Sequence, residues 1–554
     1  MRALRVGMVV VVLALAGCGG VPSSGSVVPG SIIDEEDLID VAFDPQGPQA
    51  GDSQSEIMLG FIAAATNPQS DYDVARSFLA DDFREEWDPD AITQIRTGVG
   101  QARAESDTAF SYLLTSSAHV DDRGQYTEEP PATQVLPFTF VQDENDQWRI
   151  ASAPDGIVLS RESFNDIFAP HPLYFYDPTN SYLVPDLRWF PETTRLATTV
   201  VRELLKGPSG LLQQGVTNSY FPAGTKLDSS VVVEAGVATV ALSEDVLTAT
   251  PEQLQLMRQQ LRDTIGDVSS VVITVGGVTL EEQDGGPTPA TSNLTVESQP
   301  LALQGDVFGY LRTNGSVGAF AGLSTDVVGL GATDVTLLRD KSAAAVVTPS
   351  GVWLVSAGSA VPLLLDSRPG LIAPAADNSG FVWTVPASDA SAIIAYDAAG
   401  EAHTIGVPQF AGMQAVSFAI SRDGTRVLML ATTPLGPGLF VAGIVRTEGV
   451  PTQLGSLIAL PIEQSSAALD ATWADDNTIA ALRILADDDQ SSIVAYQLGG
   501  TSESLGRLAD GVSIVGGNGA DGLRVLTADG DIFQPRGNGW ADTGATVTVL
   551  ATQQ

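Results

Sequence analysis

The chain between residues 301 and 554 is a series of short β runs that follow similar turns. The turns, in chain order, are Ser350-Gly351, Ser379-Gly380, Asp423-Gly424, Asp475-Asp476-Asn477 and Asp521-Gly522. Asparagine in the fourth turn tolerates the left-handed backbone that glycine adopts in the others. Most gaps are about 45 residues, and the first is shorter. A period of roughly 40 to 50 residues predicts a β-propeller of about five or six blades, or seven small ones. A pair of β-sandwiches is the alternative.

Residues 183–280 alternate between strand and helix patterns. The predicted elements are a strand near Tyr182–Val184, a helix at Glu192–Lys206, strands at Val231–Val233 and Val237–Leu242, a helix from Thr250 to Gly266, and a fully buried strand at Val271–Val275. Thr250-Pro251-Glu252-Gln253 has the form of a capping box with proline at the first helical position. Gly207-Pro208 ends the first helix. The order β-α-β-β-α-β predicts a small α/β sandwich.

Residues 54–160 are predicted to form a first α+β domain, with two helices before an antiparallel sheet. Ile57, Phe61 and Ala64 lie on one helical face, and Asp71-Tyr72-Asp73 is predicted to cap the second helix. The sheet is predicted from a strand pattern at Thr108–Val120 and a hairpin of Val135–Val141 with Trp148–Ser152. This outline is similar to the cone-shaped transport-factor fold.

Three further segments separate these domains. Residues 18–53 are rich in Gly, Pro, Ser and acidic residues and are predicted to be a flexible tether. Residues 161–182 are aromatic and predicted to be a packed connector, in which the aromatic side chains form either an interdomain core or a binding surface. Residues 281–300 are predicted to be a linker. The fold class is therefore two small α+β domains followed by an all-β propeller.

The first 17 residues have the pattern of a secretory signal peptide: two arginines precede the apolar run Val6–Ala16. The run is shorter than the roughly 20 residues that span a bilayer as a helix. Leu15-Ala16-Gly17-Cys18 resembles the bacterial lipobox, and Cys18 is the only cysteine in 554 residues. We therefore predict N-palmitoyl and S-diacylglycerol modification of Cys18, which would anchor the chain on the outer face of a cell membrane.

The charge of the chain restricts its partners. The formal net charge is −40, from 67 acidic and 27 basic residues. Such a surface repels nucleic acid and favours basic partners and cations.

A family resemblance rests on three motifs. Val201-Arg202-Glu203-Leu204-Leu205-Lys206-Gly207-Pro208-Ser209, Phe221-Pro222-Ala223-Gly224-Thr225 and Val240-Ala241-Leu242-Ser243 resemble the GerMN domain. With the lipobox and the predicted propeller, the whole chain resembles the actinobacterial LpqB lipoproteins. The resemblance implies association with the extracytoplasmic domain of an MtrB-like sensor histidine kinase. It also implies an influence on MtrAB two-component signalling and on cell-envelope homeostasis.

The sequence offers few candidates for catalytic chemistry. Its three histidines, His119, His171 and His403, fall in different predicted regions, and we interpret each as structural or exposed. Gly517-Asn518-Gly519-Ala520-Asp521-Gly522 matches G-x-G-x-x-G, but the strand pattern that follows predicts an interblade turn instead of a dinucleotide site. The sequence contains neither H-E-x-x-H nor G-x-S-x-G.

Acidic runs suggest calcium binding as a further alternative. The candidates are Asp475-Asp476 and Asp487-Asp488-Asp489. Neither run has the glycine and closing glutamate of an EF-hand loop, so we interpret both as a solvated acidic surface.

These observations favour a non-catalytic, lipid-anchored interaction protein with no cofactor, no metal and no enzymatic activity. The alternative is a cell-wall glycan-binding protein or hydrolase with its site in the propeller, which would need two carboxyl groups about 5 to 9.5 Å apart. A simple envelope scaffold without a signalling partner is the third hypothesis.

Overall fold

The computed structural model describes residues 45–281, 286–359, 361–463, 466–485 and 490–554. The predicted signal peptide, Cys18, most of the predicted tether and Asp487-Asp488-Asp489 lie outside these residues. Three domains follow one another along the described part of the chain.

The N-terminal domain is a mixed sheet covered by helices. Its elements are α1 (Gln54–Ala64), α2 (Asp73–Arg76), α3 (Asp81–Arg84), β1 (Ile92–Ala104), β2 (Ala109–Asp121), β3 (Tyr126–Gln142), β4 (Trp148–Ser152), β5 (Ile157–Ser160) and α4 (Arg161–Ile167). The sheet order is β4-β3-β2-β1-β5, and β5 runs parallel to β1. A capping box between Ser53 and Glu56 starts α1.

The sequence predicted this domain in part. The α1 face of Ile57, Phe61 and Ala64 is buried, which confirms its pattern. The predicted cap of the second helix is wrong: Tyr72 occupies the cap position with left-handed backbone, no side chain caps the helix, and it makes a single turn.

The predicted connector is not a separate segment. Residues Phe168–Tyr176 form β6, which pairs along its whole length with β7 (Leu183–Pro191). The aromatic side chains Phe164, Phe175 and Tyr176 are fully buried. Phe164 stacks with Phe168 of β6. These aromatic residues are therefore core residues, which excludes the binding-surface interpretation for them.

The second domain packs two helices on a four-stranded sheet. Its further elements are α5 (Leu196–Leu205), β8 (Val232–Glu234), β9 (Val237–Ala241), α6 (Pro251–Ile265), β10 (Ser270–Val275) and β11 (Val278–Thr279), with short 3-10 helices at Gly210–Leu212 and Glu244–Thr248. The sheet order is β11-β10-β9-β8. Thr250 and Gln253 make the predicted capping box, and Gly266 ends the helix with positive φ.

Two expectations for this domain need correction. The first predicted strand, β7, pairs with β6 and lies outside the four-stranded sheet. β10 is not fully buried: its burial alternates, because one face packs against the helices and the other faces outward.

The C-terminal domain is built from four-stranded antiparallel units. Its strands are β12 (Leu301–Gln304), β13 (Val307–Leu311), β14 (Val317–Ala319), β15 (Asp334–Leu337), β16 (Ala343–Thr348), β17 (Gly351–Ser356), β18 (Leu363–Asp366), β19 (Ala375–Ala376), β20 (Val382–Thr384), β21 (Ile394–Tyr396), β22 (Ala402–Thr404), β23 (Gln414–Ile420), β24 (Arg426–Thr433), β25 (Gly436–Thr447), β26 (Val450–Leu460), β27 (Ser466–Trp473), β28 (Thr478–Leu485), β29 (Gln490–Gln497), β30 (Ser502–Ala509), β31 (Gly511–Val515), β32 (Arg524–Thr527), β33 (Asp531–Arg536), β34 (Gly539–Thr546) and β35 (Val549–Gln553). Helix α7 (Ser324–Gly329) connects β14 to β15, and single 3-10 turns lie at Pro408–Phe410 and Ala520–Gly522.

These units form a closed propeller of six blades. The inner strands β35, β15, β19, β23, β27 and β31 each contact the next one, and β31 contacts β35 again. The last strand, β35, completes the first blade by pairing with β12. The two ends of the domain are thus joined in one blade, and no blade is left with an open inner edge. This confirms the propeller.

The structure also explains the irregular spacing of the turns. Ser350-Gly351 joins the second and third strands of its blade, whereas the other four turns join the first strand to the second. The equivalent turn of that blade lies earlier, at Arg339–Ser342. The short first gap therefore comes from comparing two different kinds of turn.

The three domains contact one another directly. The backbone N–H of Trp189 donates to the Gly124 carbonyl over 2.7 Å, and its indole Nε1 donates to Gly499 of the propeller over 2.8 Å. Ser502 donates to Glu128 of the N-terminal domain over 2.8 Å. These bonds place both small domains against the propeller.

Candidate functional site at the propeller channel

The hydrogen bonds that join the other domains and the linker to the propeller loops, among the described residues, lie on one of its two loop faces. In an antiparallel blade, turns between strands one and two and between strands three and four lie on one face. Turns between strands two and three lie on the other. We call these the covered face and the open face. Trp189 and Glu128 bond to Gly499 and Ser502, at the turn between β29 and β30 on the covered face.

The predicted linker crosses the covered face as a strap, which we define as residues 286–300. Its first part is fixed to the second domain: Gln259 of α6 exchanges two hydrogen bonds with Ala290, of 2.7 and 3.0 Å. Thr291 donates to Ser181 and accepts from Leu183, both over 2.9 Å.

The second part of the strap is fixed to the propeller. Leu294 is buried, its N–H donates to Asp476 over 2.9 Å, and its carbonyl accepts from Arg422 over 3.1 Å. Val296 exchanges two hydrogen bonds with Asn518, of 2.9 and 3.0 Å. The strap therefore connects the second domain physically to the first-to-second-strand turns of the propeller.

Buried carboxylates on the covered face are paired with arginine. Arg426 pairs with Asp423, and both side chains are almost fully buried. Arg446 pairs with buried Asp377 over 2.6 Å. Burial raises the pKa of Asp476 to about 6, and Asp423 adds to the rise, while Arg426 opposes it.

The inner strands enclose a polar channel, in which two carboxylates face each other. Asp334 and Asp470 both line it, together with hydroxyl groups of Ser417 and Ser513. Asp334 is on β15 and Asp470 on β27, which are opposite each other in the ring of six inner strands. They are close enough for the charge of Asp470 to contribute to the raised pKa of Asp334.

The two carboxylates have different surroundings. Asp470 accepts from Ser513 over 3.0 Å, from the Ile514 N–H over 2.9 Å and from its neighbour Ala471 over 2.8 Å. Asp334 accepts only from the N–H of Val335, over 2.7 Å, among the described residues. Burial raises the pKa of Asp334 to about 7, with a further contribution from the charge of Asp470.

The size of the channel limits what it can hold. Its volume is about 60 Å³, whereas sites for small organic ligands occupy roughly 300 to 1,000 Å³. A cavity of this size accommodates about four water molecules. The channel therefore does not accept a sugar ring, which weighs against the glycan-hydrolase alternative at this position.

The three histidines lie in three different domains. His119 is on β2 beside Glu129, at 3.7 Å, and His171 is on β6. His403 lies on β22 of the propeller. It forms a group with Asp397 and Glu401 whose ligand atoms lie within 4.8 Å of one another on a partly exposed hairpin.

The remaining candidate motifs have structural roles. Asp475 accepts from the N–H groups of Asn477 and Thr478 and so holds a turn, while Asp476 holds the strap. Gly517–Gly522 joins β31 to β32 within one blade, so the predicted interblade position is wrong. Its last three residues form a 3-10 turn and a strand follows, as expected for a turn and not for a dinucleotide site.

Asp334 and Asp470 were not among the residues predicted from the sequence. A signal for them exists: Asp334-Val335-Thr336 and Asp470-Ala471-Thr472 repeat the pattern Asp-x-Thr in two inner strands. Thr336 and Thr472 line the channel as well. A blade-by-blade comparison of the inner strands would have revealed the repeat.

Comparison with known families covers most of the described chain. The model "Lipoprotein LpqB, N-terminal domain" matches residues 47–165, and "Sporulation and spore germination" matches residues 172–281. The model "Lipoprotein LpqB beta-propeller domain" matches residues 318–549. The two LpqB models together span more than half of the chain. The chain belongs to the LpqB lipoprotein family.

Individual LpqB relatives agree with this assignment. Lipoprotein LpqB of Cutibacterium acnes is 26% identical over 514 residues, which is 84% of each chain. Lipoprotein LpqB of Mycolicibacterium smegmatis is 25% identical and covers 98% of this chain and 97% of its own. The tandem GerMN domains of Bacillus subtilis GerM match 26% of this chain and 58% of their own, at 22% identity and a TM-score of 0.19, a score too low to support a conclusion. No helix within the described residues is both long and apolar enough to cross a membrane.

Proposed function

We propose that this LpqB protein is a lipid-anchored, extracytoplasmic accessory protein that modulates a sensor histidine kinase of the MtrB type. The observation that carries the proposal is the difference between the propeller faces. The N-terminal domains and the strap contact one face, which leaves the opposite loop face for a partner. The family resemblance supports the kinase as that partner, and Cys18 supplies the anchor.

The open face has the chemistry of a docking surface for a basic partner. Asp306, Asp389 and Asp529 are exposed in its turns between second and third strands. Leu435, at the tip of the β24–β25 turn, is 87% exposed. An exposed leucine among acidic turns offers an apolar anchor within a negative rim, and the negative charge of the whole chain steers a basic surface towards it.

A binding experiment tests the partner and the face separately. The soluble chain from residue 19 is titrated against the kinase ectodomain, and Leu435→Glu is compared with Leu247→Glu. Leu247 is 58% exposed on the second domain, away from the open face, and serves as the matched control. We expect micromolar or tighter binding that Leu435→Glu weakens about tenfold and Leu247→Glu leaves unchanged, in line with loss of an apolar anchor.

Two results would contradict parts of the proposal. Absence of binding at micromolar concentrations would remove the kinase as partner. Equal binding by both variants would place the contact outside the open face.

The anchor has its own test. Cys18→Ser should abolish fatty-acid labelling of the protein, because the thiol carries the diacylglyceryl group. Labelling of this variant at the wild-type level would contradict the assignment of Cys18.

A further inference from the structure

We propose that the propeller channel binds one hard divalent cation, Ca²⁺ or Mg²⁺, between Asp334 and Asp470. The inference is independent of the kinase partner, because it rests on the channel alone. It assigns a ligand to two carboxylates that the proposed partner binding does not use.

The two carboxylates lie where they can share one ligand. They line one channel from opposite strands of a closed ring, and Ser417 and Ser513 line it beside Asp470. Ser513 and Ser417 hydroxyls contact Asp470 and the adjacent Ala471 N–H, which fixes the Asp470 side chain. The walls therefore present oxygen atoms to a shared central space.

Asp334 keeps an acceptor that no protein donor uses. Its second carboxylate oxygen has no hydrogen-bond donor among the described residues, and the side chain is partly exposed where it lines the channel. The arginine that lines the channel, Arg422, uses its guanidinium on the carbonyls of Leu294, Ala474 and Gly517. Two facing carboxylates without a neutralising cation are costly inside a protein.

The ligand class follows from the atoms and the space. Carboxylate and hydroxyl oxygens suit Ca²⁺, Mg²⁺ and Mn²⁺, whereas zinc and copper prefer nitrogen and sulfur ligands. A volume of about 60 Å³ leaves room for an ion with a few waters. Mg²⁺ in particular keeps several waters and binds through one or two carboxylates.

The Asp397, Glu401 and His403 group provides the contrast. It lies on a partly exposed hairpin, and Asp397 already accepts from the N–H groups of Ala399 and Glu401 to hold the turn. Asp397→Asn is therefore the matched control for Asp334→Asn and Asp470→Asn.

The experiment uses the mature chain from residue 19, stripped with EDTA. CaCl₂ and MgCl₂ are titrated calorimetrically, and Tb³⁺ is added as a luminescent calcium probe, since Trp473 lines the same channel and can sensitise it. We expect one site per chain, a loss of at least tenfold in affinity in Asp334→Asn and Asp470→Asn, and unchanged affinity in Asp397→Asn. Metal analysis of the wild-type chain after gel filtration in CaCl₂ gives a readout that needs no variant.

Several outcomes would overturn the proposal. The wild-type chain could show neither heat, nor terbium emission, nor bound metal. Asp334→Asn could bind as tightly as the wild type, or Asp397→Asn alone could lose binding. A change of stability with pH but not with metal would show that the two carboxylates share a proton instead.

Discussion

The two ends of the propeller channel treat buried charge in opposite ways. Towards the covered face, Asp423 and Asp377 are paired with Arg426 and Arg446, and the strap closes over them. Deeper in the channel, Asp334 and Asp470 lie on opposite walls, and the guanidinium of Arg422, which also lines the channel, is bound to backbone carbonyls instead. The first set of charges is neutralised within the fold, whereas the second set lowers stability unless something binds there.

The largest expected effect comes from breaking a pair on the covered face. Arg426→Met leaves Asp423 buried without its cation and leaves Arg422 as the only arginine acting on Asp476, which should cost about 3 to 5 kcal/mol of unfolding free energy. Urea unfolding followed by near-UV circular dichroism measures the loss. Arg312→Met, at an exposed position, is the control and should stay within about 0.5 kcal/mol of wild type. A similarly small effect of Arg426→Met would mean that this pairing is not stabilising.

A substitution in the strap should lower the unfolding free energy by a smaller amount. Leu294 is buried, so Leu294→Ala should cost about 2 to 3 kcal/mol, while its backbone bonds to Asp476 and Arg422 can persist. The same urea experiment applies, with faster proteolysis within residues 286–300 as a second readout. Leu247→Ala should change neither quantity. If Leu294→Ala also leaves both unchanged, the strap does not hold the two domains together.

At the end of the channel that holds Asp334 and Asp470, the unfolding free energy should depend on pH in the opposite sense to that expected for a paired carboxylate. The pKa of Asp334 is raised to about 7, so the folded protein holds this proton more tightly than the unfolded chain. The contribution of this protonated carboxyl to stability is fully present below the pKa of the unfolded chain, near 4. It is lost as the pH rises through 7. Without metal, Asp334→Asn should therefore be about 2 kcal/mol more stable than wild type at pH 8 and equal to it at pH 4.

Thermal unfolding in EDTA at both pH values measures this difference, with Asp397→Asn as the control. Because Asp334→Asn is compared with the wild-type chain at each pH, the contributions of other titrating groups such as Asp476 to the pH dependence largely cancel. A variant less stable than wild type at pH 8 would show that Asp334 is a stabilising residue, and the contrast between the two ends would fail.

The smallest expected effect is on the open face. Leu435→Glu should change the unfolding free energy by less than about 0.5 kcal/mol, because the side chain is 87% exposed. A larger loss of stability would show that Leu435 supports the fold, and its use as a probe of partner binding would then be invalid.

The sequence predicted elements whose signals are local. The capping box at Thr250, the buried face of Ile57 and Phe61, and the turn-and-strand repeat of the propeller all depend on neighbouring residues. Tyr72 was mispredicted because tertiary packing of its buried ring overrode the capping pattern.

The candidate site depends on long-range geometry instead. Asp334 and Asp470 oppose each other only because six inner strands close into a ring, and neither residue is unusual in its own segment. Composition likewise suggested an ordinary linker at 281–300. The anchoring of the strap by Gln259 and Asn518 comes from residues distant in the chain, so no local pattern could reveal it.

The most direct test of the contrast between the two ends is anomalous diffraction from crystals of the mature chain soaked with MnCl₂. We predict one strong anomalous peak in the channel, between Asp334 and Asp470, and none beside the Asp423–Arg426 pair. The account is contradicted if the channel shows no peak. This holds whether manganese binds at Asp397, Glu401 and His403 or at no site.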